Sequence, residues 1–129
     1  MTRILFFFLL LIYSCQIFDS SEINVISDAQ FNEIQDSDYI LVDVRTVEEY
    51  ESGHIQDAIN FDFYSESFQK EILSLKKNSS IILYCRTQNR STKAANFLKE
   101  NGYKEISVIE GGITSWVKNG NILSFNFSK

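Results

Sequence analysis

Proline is absent from the 129 residues, histidine and tryptophan occur once each, and there are only two cysteines, Cys15 and Cys85. No internal repeat, low-complexity run or second domain shows, so a repeat architecture is excluded and the length suits one domain. With a single histidine, His54, and no residues at ligand spacing, the sequence writes no metal site and requires no cofactor. A surplus of positive charge is also missing. The formal net charge is −5, which gives no support for a nucleic-acid partner. What is present is apolar material. Hydrophobic residues make up 44% and aromatic residues 14%, ample for a core, and 22% charged residues exclude a disordered polyelectrolyte.

The stretch that organises the chain is 80–91, Ser-Ile-Ile-Leu-Tyr-Cys-Arg-Thr-Gln-Asn-Arg-Ser. Ile81, Ile82, Leu83 and Tyr84 form a short apolar run of the buried-strand type. A polar loop of six residues follows from Cys85 to Arg90, and Ser91 is placed to cap a helix opening at Thr92. Cys85 therefore sits where a strand ends and its loop turns toward a helix N-terminus. Loop N–H groups and the helix dipole favour an anion there, and Arg86 and Arg90 add two cations. All of these lower a thiol pKa, and the thiolate is the reactive form. The plainer alternative is an inert, buried cysteine. Two arginines within five residues favour the reactive one.

Four segments in order resemble the rhodanese (sulfurtransferase) family. Cys-Arg-Thr-Gln-Asn-Arg-Ser at 85–91 is similar to that family's active-site loop, commonly Cys-x-x-Gly-x-Arg followed by Ser or Thr. Leu-Val-Asp-Val-Arg-Thr at 41–46, with Glu49 and Tyr50, resembles its Asp-Val-Arg element. Gly-His-Ile-Gln-Asp-Ala-Ile-Asn at 53–60 and Glu-Gly-Gly-Ile at 110–113, with Trp116, resemble two further elements. The resemblance implies Cys85 as nucleophile and Arg86, Thr87, Gln88, Asn89, Arg90 and Ser91 as the substrate loop. It also implies that Asp43 supports that loop, with Arg45 in contact behind it, and that His54 is a turn residue rather than a base. For Asp43 and Arg45 the alternative is a strand-end pair satisfying local backbone, since a carboxylate in a buried strand must be paired. Two positions depart from the family. Gln88 and Asp57 stand where glycine is usual, and a non-glycine residue at positive φ costs on the order of 1 kcal/mol. Gln88 is expected to alter the loop shape or its entrance without removing the nucleophile.

The implied reaction is sulfur transfer. Cys85 attacks the outer sulfur of a small anionic donor such as thiosulfate, sulfite leaves, and the Cys85 persulfide passes its sulfur to a thiol or cyanide. Arg86 and Arg90 bind the donor, and N–H groups from Thr87 to Ser91 stabilise the thiolate and the persulfide. Two alternatives stand beside it. A non-catalytic module that carries or senses sulfur, or binds a partner, is left open by Gln88. A cysteine phosphatase or arsenate reductase requires five residues between Cys and Arg, whereas Cys85 and Arg90 have four between them.

The N-terminus carries a separate set of expectations. Met1-Thr-Arg3 is a short positive start, and residues 4–13 are ten consecutive apolar or aromatic residues, too short to span a membrane. This reads as a signal peptide over 1–15, of lipoprotein type with Cys15 as the lipidated residue, followed by a tether at 16–22. Ordinary secretory cleavage and an uncleaved anchor are the alternatives. The chain is then expected to be exported, periplasmic or at the cell envelope, touching membrane only through the lipid, with Cys85 as its sole remaining thiol.

Along 23–120 strands alternate with helices, which implies an α/β fold: one rhodanese-like domain with a mainly parallel sheet of about five strands and helices on both faces. Capping boxes at Ser27/Gln30 and Thr46/Glu49 mark two helix starts, and a longer helix is expected from Phe63 to Leu75. Residues 121–129 form an apolar tail with Ile122, Leu123, Phe125 and Phe127, expected to pack back on the domain. Asp43–Arg45, the 85–90 loop and the 110–112 turn all follow strand ends, so they converge on one edge.

Overall fold

The computed structural model describes residues 22–34 and 37–126. The N-terminal expectations, Cys15 included, lie outside those residues, as do Asp36 and Phe127. Five strands, β1 (Asn24–Ile26), β2 (Ile40–Asp43), β3 (Ile59–Asn60), β4 (Ile81–Tyr84) and β5 (Ile106–Ile109), form one sheet in the order β1-β5-β4-β2-β3. Every pairing is parallel, with Val42 opposite both Ile59 and Leu83, and Leu83 opposite Val108. The helices are α1 (Asp28–Glu33), α2 (Val47–Glu51), α3 (Phe68–Ile72), α4 (Asn89–Glu100) and α5 (Gly112–Lys118).

The period of two in β4 sorts its side chains between two cores. Ile81, Leu83 and the following Cys85 join Phe68 and Ile72 of α3 and Ala94, Ala95 and Leu98 of α4 on one face. Ile82 and Tyr84 join Phe31 of α1 and Ile113 and Trp116 of α5 on the other. Both faces are thus covered, as all-parallel sheets require. β4 is central, and the chain runs outward from β2 to β3 on one side and from β4 to β5 on the other. That reversal places the natural crevice of the sheet at the carboxyl ends of β2 and β4.

Both capping boxes form: the Ser27 hydroxyl accepts from Gln30 N–H and the Thr46 hydroxyl from Glu49 N–H, each reciprocated by the glutamine or glutamate side chain. Helix α3 is shorter than the periodicity predicts. Asp62 takes the Tyr64 N–H at 2.9 Å and the Ser65 hydroxyl takes the Ser67 N–H, so short polar side chains hold this stretch in local turns that compete with the helix. The described part of the tail is fastened by its backbone and by Leu123, while the Ile122 and Phe125 side chains stay exposed. His54 and Ser124 exchange two backbone hydrogen bonds of 2.9 and 2.8 Å, and the Trp116 indole N–H donates to the Ile122 carbonyl at 3.0 Å.

Candidate active site

Cys85 follows the last residue of β4 and is 1% exposed. Its sulfur has the α4-side core beneath it and a ring of polar groups above. The Gln88 N–H donates to Sγ at 3.2 Å and the Ser91 N–H at 3.4 Å, while the Ser91 hydroxyl lies 3.5 Å away. Burial pushes the Cys85 thiol up, but the Ser91 hydroxyl and the N–H groups of Ser91, Thr87 and Gln88 together outweigh it and leave the thiol below its ordinary value. The Ser91 hydroxyl has one proton and two claims on it. It donates to the Gln88 carbonyl at 2.9 Å, and a thiolate at Cys85 is the competing acceptor.

The helix begins earlier than the sequence suggests. Asn89 and Arg90 belong to the first turn of α4, and Gln88, not Ser91, occupies the cap position. The reason is the backbone at Gln88, where φ is 142° and ψ −19°. That turn brings the N–H groups of Gln88 and Ser91 to face the sulfur within a short loop. Among the described residues, Asp57 (φ 65°) and Gln88 are the only non-glycine residues at positive φ. They are the two positions that depart from the family's glycines. Asp57 sits in the left-handed region that Asp tolerates; Gln88 does not.

The two arginines have different fates. Arg86 is exposed, and its guanidinium makes no hydrogen bond or ion pair with any described residue. Arg90 is bound to Glu49 by two parallel bonds, 2.7 Å and 2.9 Å, and its guanidinium lies 5.5 Å from the Tyr64 ring centroid. The Arg90 guanidinium, helped by the Thr46 N–H, holds the Glu49 carboxyl down at about 2. Sequence reading gave Glu49 only a capping role. Its partner is 41 residues away, so no local spacing could have revealed the pair.

Asp43 and Arg45 are buried and bind each other, with Arg45 Nη2 at 2.7 Å from Asp43 Oδ2 and at 2.7 Å from the Gly53 carbonyl. They touch no atom of 86–91 through a hydrogen bond. Their link to the loop is Tyr84, whose ring lies 5.7 Å from the Arg45 guanidinium and whose hydroxyl accepts the Ile55 N–H at 3.0 Å. Burial, with Asp43 beside it, pushes the Tyr84 phenol far up, so it stays neutral. His54 is stacked on Tyr50 at 4.0 Å with Nδ1 3.2 Å from the Tyr50 carbonyl, a packing arrangement.

The loop is held from below by α5. Ile113 N–H donates to the Cys85 carbonyl at 2.9 Å and Thr114 N–H to the Arg86 carbonyl at 3.0 Å. Such close approach needs Gly112, because a Cβ there would stand 2.5 Å from the Cys85 oxygen. Beside this contact a groove of about 400 Å³ is lined by Arg86, Thr114, Val117 and Leu123, among others. Among the described residues no group of three His, Cys, Asp or Glu side chains is arranged to hold a metal, and no helix is long and apolar enough to cross a membrane.

Comparison with known proteins gives this geometry its relatives. The rhodanese-like domain family matches residues 28–119. Among curated proteins, a tRNA uridine(34) hydroxylase of Leptospira interrogans is 38% identical over 96 residues, covering 70% of this chain and 26% of that protein. One from Escherichia fergusonii is 34% identical over 107 residues, covering 78% of this chain and 31% of its own length. The chain thus spans about a third or less of the curated relatives it matches. Among solved structures, a rhodanese-related protein from Thermoplasma volcanium superposes with TM-score 0.72 at 28% identity, covering 80% of this chain and 99% of that one. A rhodanese-like domain protein from Staphylococcus aureus gives TM-score 0.69 at 26% identity, covering 81% and 100%. These comparisons correct one expectation. The sequence reads as that of an exported protein, but the curated relatives are named tRNA uridine(34) hydroxylase, and on that finding the export reading is withdrawn.

Proposed function

The chain belongs to the rhodanese-like domain family, and on that premise we propose that it is a sulfurtransferase working through a persulfide on Cys85. The supporting observation is the sulfur itself, at the end of the central strand and facing the N–H groups of Gln88 and Ser91 at 3.2 and 3.4 Å. In the first step the Cys85 thiolate attacks the outer sulfur of thiosulfate. The donor's S–S bond breaks, its electron pair leaves with sulfite, and a Cys85 persulfide anion forms. In the second an acceptor thiolate or cyanide attacks the outer sulfur, and Cys85 leaves as the thiolate. The loop N–H groups stabilise negative charge in both states without reorganising. When the thiolate forms, the Ser91 hydroxyl turns to it from the Gln88 carbonyl. Arg86, exposed and unpaired among the described residues, meets the anionic donor, while Arg90 acts through the loop it braces against Glu49.

The test is intact-mass measurement after incubation with thiosulfate. One added sulfur atom on Cys85, absent in Cys85→Ser, is the expected result. No adduct on the wild type with thiosulfate or with a small persulfide donor ends the reading.

The relatives' names favour a second reading, in which the module serves the hydroxylation of a tRNA uridine, as theirs state. The net charge of −5 argues against direct tRNA binding by this chain alone. Expressing it in cells that lack such a relative, and analysing tRNA uridine 34 by mass spectrometry, separates the two. Restored hydroxylation favours the second.

A further inference from the structure

We propose that Gln88 is a positioning residue: its side-chain amide, bound to the Gly111 N–H, holds the loop in the strained turn that aims the Gln88 N–H at the Cys85 sulfur. Four hydrogen bonds meet on this residue. Its N–H donates to Sγ at 3.2 Å. Its carbonyl accepts from the Ser91 hydroxyl at 2.9 Å and from the Thr92 N–H at 2.9 Å. Its Oε1 accepts the Gly111 N–H at 3.0 Å, across 23 residues of sequence.

The bond from the Gln88 N–H to the sulfur needs the bond from Gly111. At φ 142° an L side chain is out of its allowed regions, and the relaxed conformations rotate the N–H away from where it now points. Glycine would reach this φ freely but would leave the Gly111 N–H without this partner. Glutamine gives up that freedom and in exchange is tied to the turn between β5 and α5. That turn is a firm anchor, because α5 already donates from Ile113 and Thr114 to the Cys85 and Arg86 carbonyls. The loop is therefore fixed at both its start and its middle, and the Ser91 N–H and hydroxyl are registered with it through the Gln88 carbonyl.

The inference rests on Cys85 being the reacting group, but its test reads thiol reactivity and not sulfur transfer, so the two fail separately. Alkylation of the full chain by iodoacetamide is followed against pH on the peptide that carries Cys85, for wild type, Gln88→Ala and Gln88→Gly. Alanine keeps the strain and loses the tie. Its thiol is expected to titrate about one pH unit higher and to react about tenfold more slowly at neutral pH. Glycine loses the tie without the strain and is expected to fall about threefold, between the other two. Alanine titrating like wild type, or glycine reacting more slowly than alanine, overturns the proposal. Should the alanine variant fail to fold, amide hydrogen exchange of Gly111 in the wild type decides. A protected amide supports the tie, and exchange at the rate of an unstructured peptide removes it.

Discussion

Ser91 is fully buried with two hydrogen-bonding roles, and they separate cleanly by substitution. Its N–H reaches the sulfur at 3.4 Å whatever the side chain, whereas its hydroxyl at 3.5 Å exists only in serine or threonine. Ser91→Ala should therefore raise the Cys85 thiol pKa while leaving the loop backbone in place. The expected loss is about tenfold in alkylation rate at neutral pH, roughly 1.4 kcal/mol, near the lower end of what a hydrogen bond to a charged acceptor contributes. A pH profile of alkylation superposable on wild type would show that the hydroxyl stays with the Gln88 carbonyl in both protonation states. Cys85 as a strand-end thiol facing a polar loop was legible in the residues themselves. The side chain of Gln88 was not, because its partner Gly111 is supplied by a different strand-to-helix turn.

At the scale of elements, the Glu49–Arg90 pair ties α2 to the first turn of α4. Glu49 also closes the capping box of α2 through the Thr46 N–H at 2.9 Å. Its pKa is about 2 in the fold against an ordinary 4.5, lowered first by the Arg90 guanidinium. A depressed carboxylate contributes stability that is complete above the unfolded value and is lost as the pH falls through the folded one. Glu49→Ala should thus cost about 1–2 kcal/mol at neutral pH, discounted because the carboxylate is partly exposed. The gap from wild type should close between pH 4.5 and about 2. Urea midpoints of both proteins across that range check it, and a gap independent of pH would mean the carboxylate's charge contributes nothing. The helix boundaries follow the same lesson. Capping boxes fixed the starts of α1 and α2 from sequence, since cap and partner lie three residues apart. The start of α4 was misplaced because it depends on an unusual φ at Gln88, which nothing in the local residue types announces.

Across the whole molecule, Leu123 and Ser124 fasten the C-terminal segment to the domain. Leu123 packs against Gly53, where a Cβ would come within 2.9 Å of its Cδ1, and Ser124 pairs with His54. Gly53 in turn gives its carbonyl to Arg45. The tail thus buttresses the Asp43–Arg45 clamp at the carboxyl edge of the sheet. Ending the chain after Gly120 should lower stability by about 2–4 kcal/mol, from lost backbone pairing and uncovered apolar surface. Thermal unfolding checks it, and an unchanged midpoint would show the strand-like pairing of His54 with Ser124 to be idle.

The alternation of strands and helices, the apolar runs and the strand-end motifs were enough, by themselves, to determine a parallel α/β sheet with Cys85 at its carboxyl edge. These are properties of neighbours in sequence, where period and capping act. The tertiary structure alone decided what each charged and polar group in the loop is bound to. It gave Arg90 to Glu49, left Arg86 unpaired among the described residues, and turned Gln88 toward Gly111. Such pairings join residues from separate elements, and only the packing of the sheet and its helices sets which of them meet.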